Sequence, residues 1–134
     1  MVYEWVAVGT PPDWSVQNYK CNSGVAIAKG TLLTLLDAGV VGAHSAAGQV
    51  LAGVAAMDKA NNDYSTTVSV WTYGRFEVTH SAAIGVGQWF RGAAQGNTIS
   101  TADTDIGIDS GAAIGGYVVE VASAGEIANV MLRL

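Results

Sequence analysis

The sequence predicts an all-β protein: a single compact β-sandwich or small β-barrel with an extended N-terminal arm. Three observations predict it. Apolar and polar residues alternate over short runs, most clearly in "TTVSVWTYGRFEV" at residues 66–78, and a period of two marks a strand with one buried face. The 17 glycines are scattered along the whole chain, and each would cost a helix interior about 1 kcal/mol relative to alanine. Clusters of Gly, Asn, Asp and Ser separate the apolar runs, as in sandwiches and barrels. A chain of 134 residues has the ordinary size of one domain. It can bury roughly 70% of its unfolded surface without disulfides or metals.

The elements follow in order. "VYEWVAV" alternates like a strand and then meets "GTPPDW". Pro11 and Pro12 end any strand and stiffen the chain toward polyproline II. Residues 1–20 therefore read as an extended arm, and residues 21–134 as the β domain. The competing reading makes "YEWVAV" the first strand of the domain itself. "SGVAIAKG" and "TLLTLL" are strand-like and split at Lys29-Gly30, and "DAGVVGAHSAAG" reads as a small-residue loop. Residues 45–60, "SAAGQVLAGVAAMDKA", are the one segment that could be helical, with Val50, Leu51, Val54 and Met57 on one face. Gly48 and Gly53 weigh toward a buried strand instead. "DKANNDYS" is a polar turn. "SAAIGVGQWF" gives a glycine turn and a short strand, "RGAAQGN" a turn, "TIST" a short strand, and "ADTDIGIDSGAAIG" an acidic loop. "GYVVEVASAGEIANVMLRL" reads as a closing hairpin with its bend at "SAGE".

Parity assigns faces in the longest run. Val68, Val70, Thr72, Gly74, Phe76 and Val78 fall on one side and should meet the core. Ser69, Trp71, Tyr73, Arg75, Glu77 and Thr79 fall on the other. A glycine inside a strand often marks a bulge, and one at Gly74 would exchange the faces beyond it. Arg75 and Glu77 form at most an exposed pair worth about 0.2–1 kcal/mol, so the Arg-Glu-His cluster of "GRFEVTH" is not a catalytic relay. Trp and Tyr are enriched at protein interfaces. Trp71 and Tyr73 are therefore either interface residues or rings packed under the chain's own loops.

Composition excludes several partner classes. Six basic residues against eleven acidic ones give a net charge of −5, and no basic cluster exists to bind nucleic acid phosphates. No run of about 18 apolar residues suggests a membrane span. "MVYEWVAVGTPPDW" has neither a basic n-region nor an apolar h-region, so no signal peptide is expected. Cys21 is the sole cysteine, so it forms no internal disulfide; it reads as a small, half-buried hydrophobe. His44 and His80, the two histidines, lack partners at metal-ligand spacing and read as solvated loop residues. "GVAIAKGT" and "GVGQWF" fail the phosphate-loop and dinucleotide patterns. Asp103, Asp105 and Asp109 vaguely resemble a calcium loop but lack its glycine and terminal glutamate. No catalytic residue, cofactor or metal is expected. The charged share of only 13% is about half the usual figure and favours a protein that works through uncharged interfaces.

From about Ser23 onward the sequence resembles the tailed-phage capsid decoration proteins, also called head cement proteins. "SGVAIAKGTLLTLLD" resembles their entry into the domain. "AGVAAMDKANNDYSTTVSVWTYGRFEV" resembles their central signature, with its acidic-Lys pair, polar turn and alternating strand. "AAIGVGQWF" and "IGGYVVEVASAGEIANVMLRL" resemble the following turn and the closing hairpin. The resemblance implies a non-enzymatic virion protein, made in the host cytoplasm, that binds the outer surface of the expanded bacteriophage head. It implies a homotrimer bridging neighbouring capsomers, with the major capsid protein as partner. On that reading Tyr3, Trp5, Pro11, Pro12 and Trp14 are candidates for capsid binding through the arm, and Trp71, Tyr73, Arg75 and Glu77 for the subunit interface. Deleting residues 1–14 should then leave a folded domain. The alternatives are a carbohydrate-binding β-sandwich and another virion component, such as a tail-tube or head-completion protein. The carbohydrate reading requires several aromatics on one flat exposed face beside Asn, Asp or Gln.

Overall fold

The computed structural model describes residues 4–9, 15–22, 24–45, 49–60, 66–80, 84–93, 97–101, 114–121 and 127–134. The fold is all-β, with no α-helix among the described residues. Among the described residues eleven strands run β1 (Val6–Ala7), β2 (Val16–Cys21), β3 (Leu32–Asp37), β4 (Val40–Ala43), β5 (Leu51–Ala55), β6 (Thr67–Trp71), β7 (Tyr73–Thr79), β8 (Trp89–Gly92), β9 (Ile99–Thr101), β10 (Ile114–Val121) and β11 (Ile127–Arg133). Strands β2-β4-β3-β5-β6 close into a barrel, and β1-β7-β11-β10-β8-β9 form a six-stranded sheet. Neighbouring strands pair antiparallel except β2 and β4, which are parallel.

Two apolar clusters hold these units together. One fills the barrel with Cys21, Ile27, Leu33, Val41, Ala52, Ala55, Val68 and Val70. The other lies between barrel and sheet. Leu32, Leu51 and Val54 of the barrel meet Phe76, Val78, Phe90, Val118, Val130 and Leu132 of the sheet, with Trp5 among them. β3 and β5 thus feed both cores: Leu32, Leu51 and Val54 face the sheet, and Leu33, Ala52 and Ala55 face the barrel. Every residue of β5 is buried, because one face looks into the barrel and the other onto the sheet. A strand covered on both faces reads as a continuous apolar run, which is why "QVLAGVA" lacks alternation and is a strand rather than a helix.

The alternating run at 67–79 follows its predicted parity except at Thr72. Val68, Val70, Gly74, Phe76 and Val78 are buried, while Ser69, Trp71, Thr72, Tyr73, Arg75, Glu77 and Thr79 are partly exposed. The run divides at Thr72, β6 belonging to the barrel and β7 to the sheet. Thr72 is held there by bonds from its N–H and hydroxyl to the Ser15 carbonyl, at 2.8 and 2.9 Å. Its own carbonyl accepts from Leu134 N at 2.9 Å. Gly74 has φ 145°, but β7 keeps its register with β11 across it, so the faces are not exchanged.

Three expectations need correction. Within residues 1–20, the described parts are built into the domain rather than forming an arm. β1 pairs with β7, Val6 opposite Glu77 and Ala7 opposite Phe76. β2 is a barrel stave between β4 and β6. "VVGA" in the predicted small-residue loop is β4, its residues supplying backbone bonds more than apolar mass. Both histidines are buried, His44 at 3% and His80 at 0% exposure, instead of lying in solvated loops.

Candidate functional site

Trp5 has the clearest structural role of the predicted site residues, and it is not that of an exposed anchor. It is 1% exposed. Its ring lies 5.8 Å from Phe76 and 5.9 Å from Phe90, and its Nε1–H donates to the Asn97 carbonyl at 3.0 Å. Its backbone N–H donates to Gly30 O at 2.9 Å. Gly30 sits at φ 85°, and a Cβ there would run into the Glu4 side chain and the Trp5 carbonyl. The segment of residues 4–8 therefore straps the barrel to the sheet. Tyr3, Pro11, Pro12 and Trp14 lie outside the described residues.

Trp71 is also covered from within. Its ring packs on Phe76 at 5.6 Å, and the Lys29 ammonium sits 5.7 Å above it. The Asp58-Lys59 pair of the central signature pins the preceding segment. Lys59, 3% exposed, donates from Nζ to Val25 O at 2.7 Å, and Asp58 Oδ1 accepts from Lys29 N at 2.7 Å.

Two surfaces remain open. The first is the outer face of the six-stranded sheet, which carries Tyr73, Arg75 and Glu77. Register places Arg75, Met131, Tyr117 and Trp89 side by side across β7, β11, β10 and β8. The adjacent row holds Glu77, Asn129 and Glu120. Arg75 does not pair with Glu77. Its Nη2 reaches Glu120 Oε1 at 3.0 Å, while Asn129 Nδ2 donates to Glu120 Oε2 at 3.3 Å. Trp89 is 45% exposed and meets Tyr117 edge-on at 6.1 Å, with the Arg133 guanidinium 6.0 Å from the tyrosine ring. Trp89, Tyr117 and Asn129 were not singled out from sequence. The alternation of β10 and β11 carried the signal, but a bulge between Val118 and Glu120 obscures their common face.

The second surface is one end of the barrel. β3 begins buried and ends exposed, leaving Leu35 at 40% and Leu36 at 54% exposure. A cleft of about 160 Å³ beside them is lined by Cys21, Val25, Ile27, Leu36, Val41 and Ala43, among others. Val25, at its rim, is 44% exposed. Cys21 itself is buried.

His44 joins the two units. Its Nε2–H donates to the Ala93 carbonyl at 2.8 Å, and its ring fills the space that a side chain at Gly92 would occupy. Nδ1 is buried with no partner among the described residues. Burial lowers the His44 pKa below 6.5, against the opposing effect of the Ala93 bond. Among the described residues no group of three or more His, Cys, Asp or Glu could hold a metal ion. Asp103, Asp105 and Asp109 lie outside those residues.

The arrangement of a closed five-stranded barrel strapped to a six-stranded sheet has a counterpart among solved structures. The chain is similar to the head fiber gp8.5 N base of bacteriophage phi29, with a TM-score of 0.54 over 87% of this chain and 92% of that one, at 19% identity. The two share a fold. At that identity the head-fiber base supports the architecture alone. No family model and no curated protein matches the chain.

Proposed function

We propose that the chain is a structural protein of a bacteriophage virion, a decoration protein on the outer surface of the head. It binds the major capsid protein, associates as a homotrimer, and reinforces contacts between capsomers without catalysis or cofactor. The observation that carries this reading is the fold shared with a phage head-fiber base along 87% of the chain. The resemblance of residues 23–134 to decoration proteins supports the same reading. The low charge supports it too, since interface cores are depleted of charged residues.

The barrel end is the surface best suited to the shell. Leu36 and Val25 are exposed where they line an apolar cleft, and Leu35, next to Leu36 in the chain, is exposed too; clustered exposed apolar residues mark interaction sites. Three such contacts held in one trimer raise avidity by roughly 10²–10⁴ over a single contact, so each can be modest. The barrel end then faces inward and the sheet face outward.

The experiment is cosedimentation of the purified chain with unexpanded and expanded capsids, together with its native mass. The expected result is a trimer that saturates expanded capsids, with Leu36→Glu abolishing attachment while the chain stays folded. A monodisperse monomer that sediments with neither capsid form overturns the proposal.

A further inference from the structure

The outer sheet face is not used by attachment through the barrel end, and its chemistry points to a ligand of another kind. Trp89 offers about half of its indole to solvent, held in place by the edge-on contact with Tyr117. Next to this pair, Glu120 is fixed through both carboxylate oxygens by Arg75 and Asn129. A depression of about 260 Å³ lined by Glu120, Val121, Ile127 and Asn129 adjoins the triad. Arg75 Nε and Asn129 Oδ1 have no partner among the described residues. Both atoms lie beneath the surface, so the groups open to a ligand are the Glu120 carboxylate, 66% exposed, and the outer part of the Arg75 guanidinium.

We propose that this face binds a neutral oligosaccharide. A sugar ring presents an apolar C–H face and a rim of hydroxyls. The negative face of an aromatic ring attracts C–H groups, which assigns one sugar to Trp89. A hydroxyl donates and accepts at once, whereas a carboxylate only accepts and a guanidinium only donates. A hydroxyl seated beside the Arg75–Glu120 pair, accepting from the outer guanidinium N–H and donating to a remaining carboxylate lone pair, satisfies both. Rows on a strand face lie roughly 7 Å apart and strands about 4.8 Å apart, so the strip from Trp89 to Glu120, one row and one strand across, spans about 8–9 Å and fits two sugar rings. Charge selects against acidic glycans. On the face Arg75, Arg91 and Arg133 stand against Glu77 and Glu120, but the chain as a whole carries a net charge of −5 and repels a polyanion at long range. The charges on the face disfavour a second copy as occupant, since subunit interfaces exclude charge from their centres.

The test uses the full chain, a neutral-glycan array, and titrations with maltohexaose, chitotetraose and an oligogalacturonate, read by saturation-transfer NMR and tryptophan fluorescence. The expected result is saturable binding of a neutral glycan at roughly 0.1–1 mM and none of oligogalacturonate. Trp89→Ala should weaken binding at least roughly tenfold and Glu120→Ala roughly three- to tenfold, with thermal midpoints and native mass unchanged. Absence of saturable binding by every neutral glycan overturns the proposal, as does equal affinity in Trp89→Ala. A change of oligomeric mass in Trp89→Ala also overturns it and makes the face a subunit interface. Capsid cosedimentation is insensitive to both variants, so this proposal and the attachment reading fail separately.

Discussion

Replacing Trp5 by alanine should destabilise the whole domain, not merely free an N-terminal segment. Truncating a buried Trp or Phe to alanine typically costs 3–5 kcal/mol. Trp5 is 1% exposed and touches rings from two different sheet strands, so the surrounding strands cannot collapse onto the vacated space without breaking their own pairing. The lost Nε1–H bond to Asn97 O adds about 1 kcal/mol. A total near 4–6 kcal/mol is a large part of the roughly 7–20 kcal/mol expected for a domain of this size. At about 3–5 °C per kcal/mol, the melting midpoint should fall by roughly 12–30 °C. Trp5→Phe keeps most of the ring and loses the bond, and should cost about 1–2 kcal/mol. Circular dichroism melts and urea titrations of both variants, with deletion of residues 1–14 beside them, give the comparison. The deletion should match or exceed Trp5→Ala. A Trp5→Ala midpoint within about 3 °C of the parent would refute the strap and restore the separable arm.

Two further perturbations probe the same joint. Gly30→Ala should cost about 1–3 kcal/mol, since a Cβ there meets the strap and the backbone is left-handed. Gly39→Ala, also left-handed but in open space, should cost only about 1 kcal/mol, and the difference in urea midpoint measures docking of the strap. For His44, burial disfavours the charged ring, so the unfolded chain binds more protons below pH 6.5. The stabilising contribution is complete above 6.5 and is lost as pH falls through the folded value, at up to about 1.4 kcal/mol per pH unit. Urea midpoints between about pH 4.5 and 7.5 should decline more steeply toward acid in the parent than in His44→Gln.

Parity was legible wherever one face of a strand is covered. Val68, Val70, Phe76 and Val78 could be assigned to the core from spacing alone, because each lies on a strand with one wet side. The closing hairpin and the strands at Trp89 and Ile99 were legible for the same reason, flanked by glycine turns. The strap was not. Its alternation was visible, but the burial of Trp5 depends on Gly30 and Asn97, which lie 25 and 92 residues away, and Pro11-Pro12 pulled the reading toward a free arm. β2, "VQNYKC", is mostly exposed. It contributes main-chain bonds to the barrel more than apolar mass, so no hydrophobic pattern announces it. His44 sits among small residues that look like loop, and its burial follows from the absent side chain at Gly92. The outer-face triad draws Arg75, Asn129 and Glu120 from three strands, a grouping that only the register creates.

Thr72 places barrel and sheet on one continuous backbone, and that has a mechanical meaning. A pull that separates the two units travels along residues 71–73 and loads β7 along its own axis. Its seven register pairs with β11 then resist in parallel, as a lap joint does in shear, rather than opening one after another like a zipper.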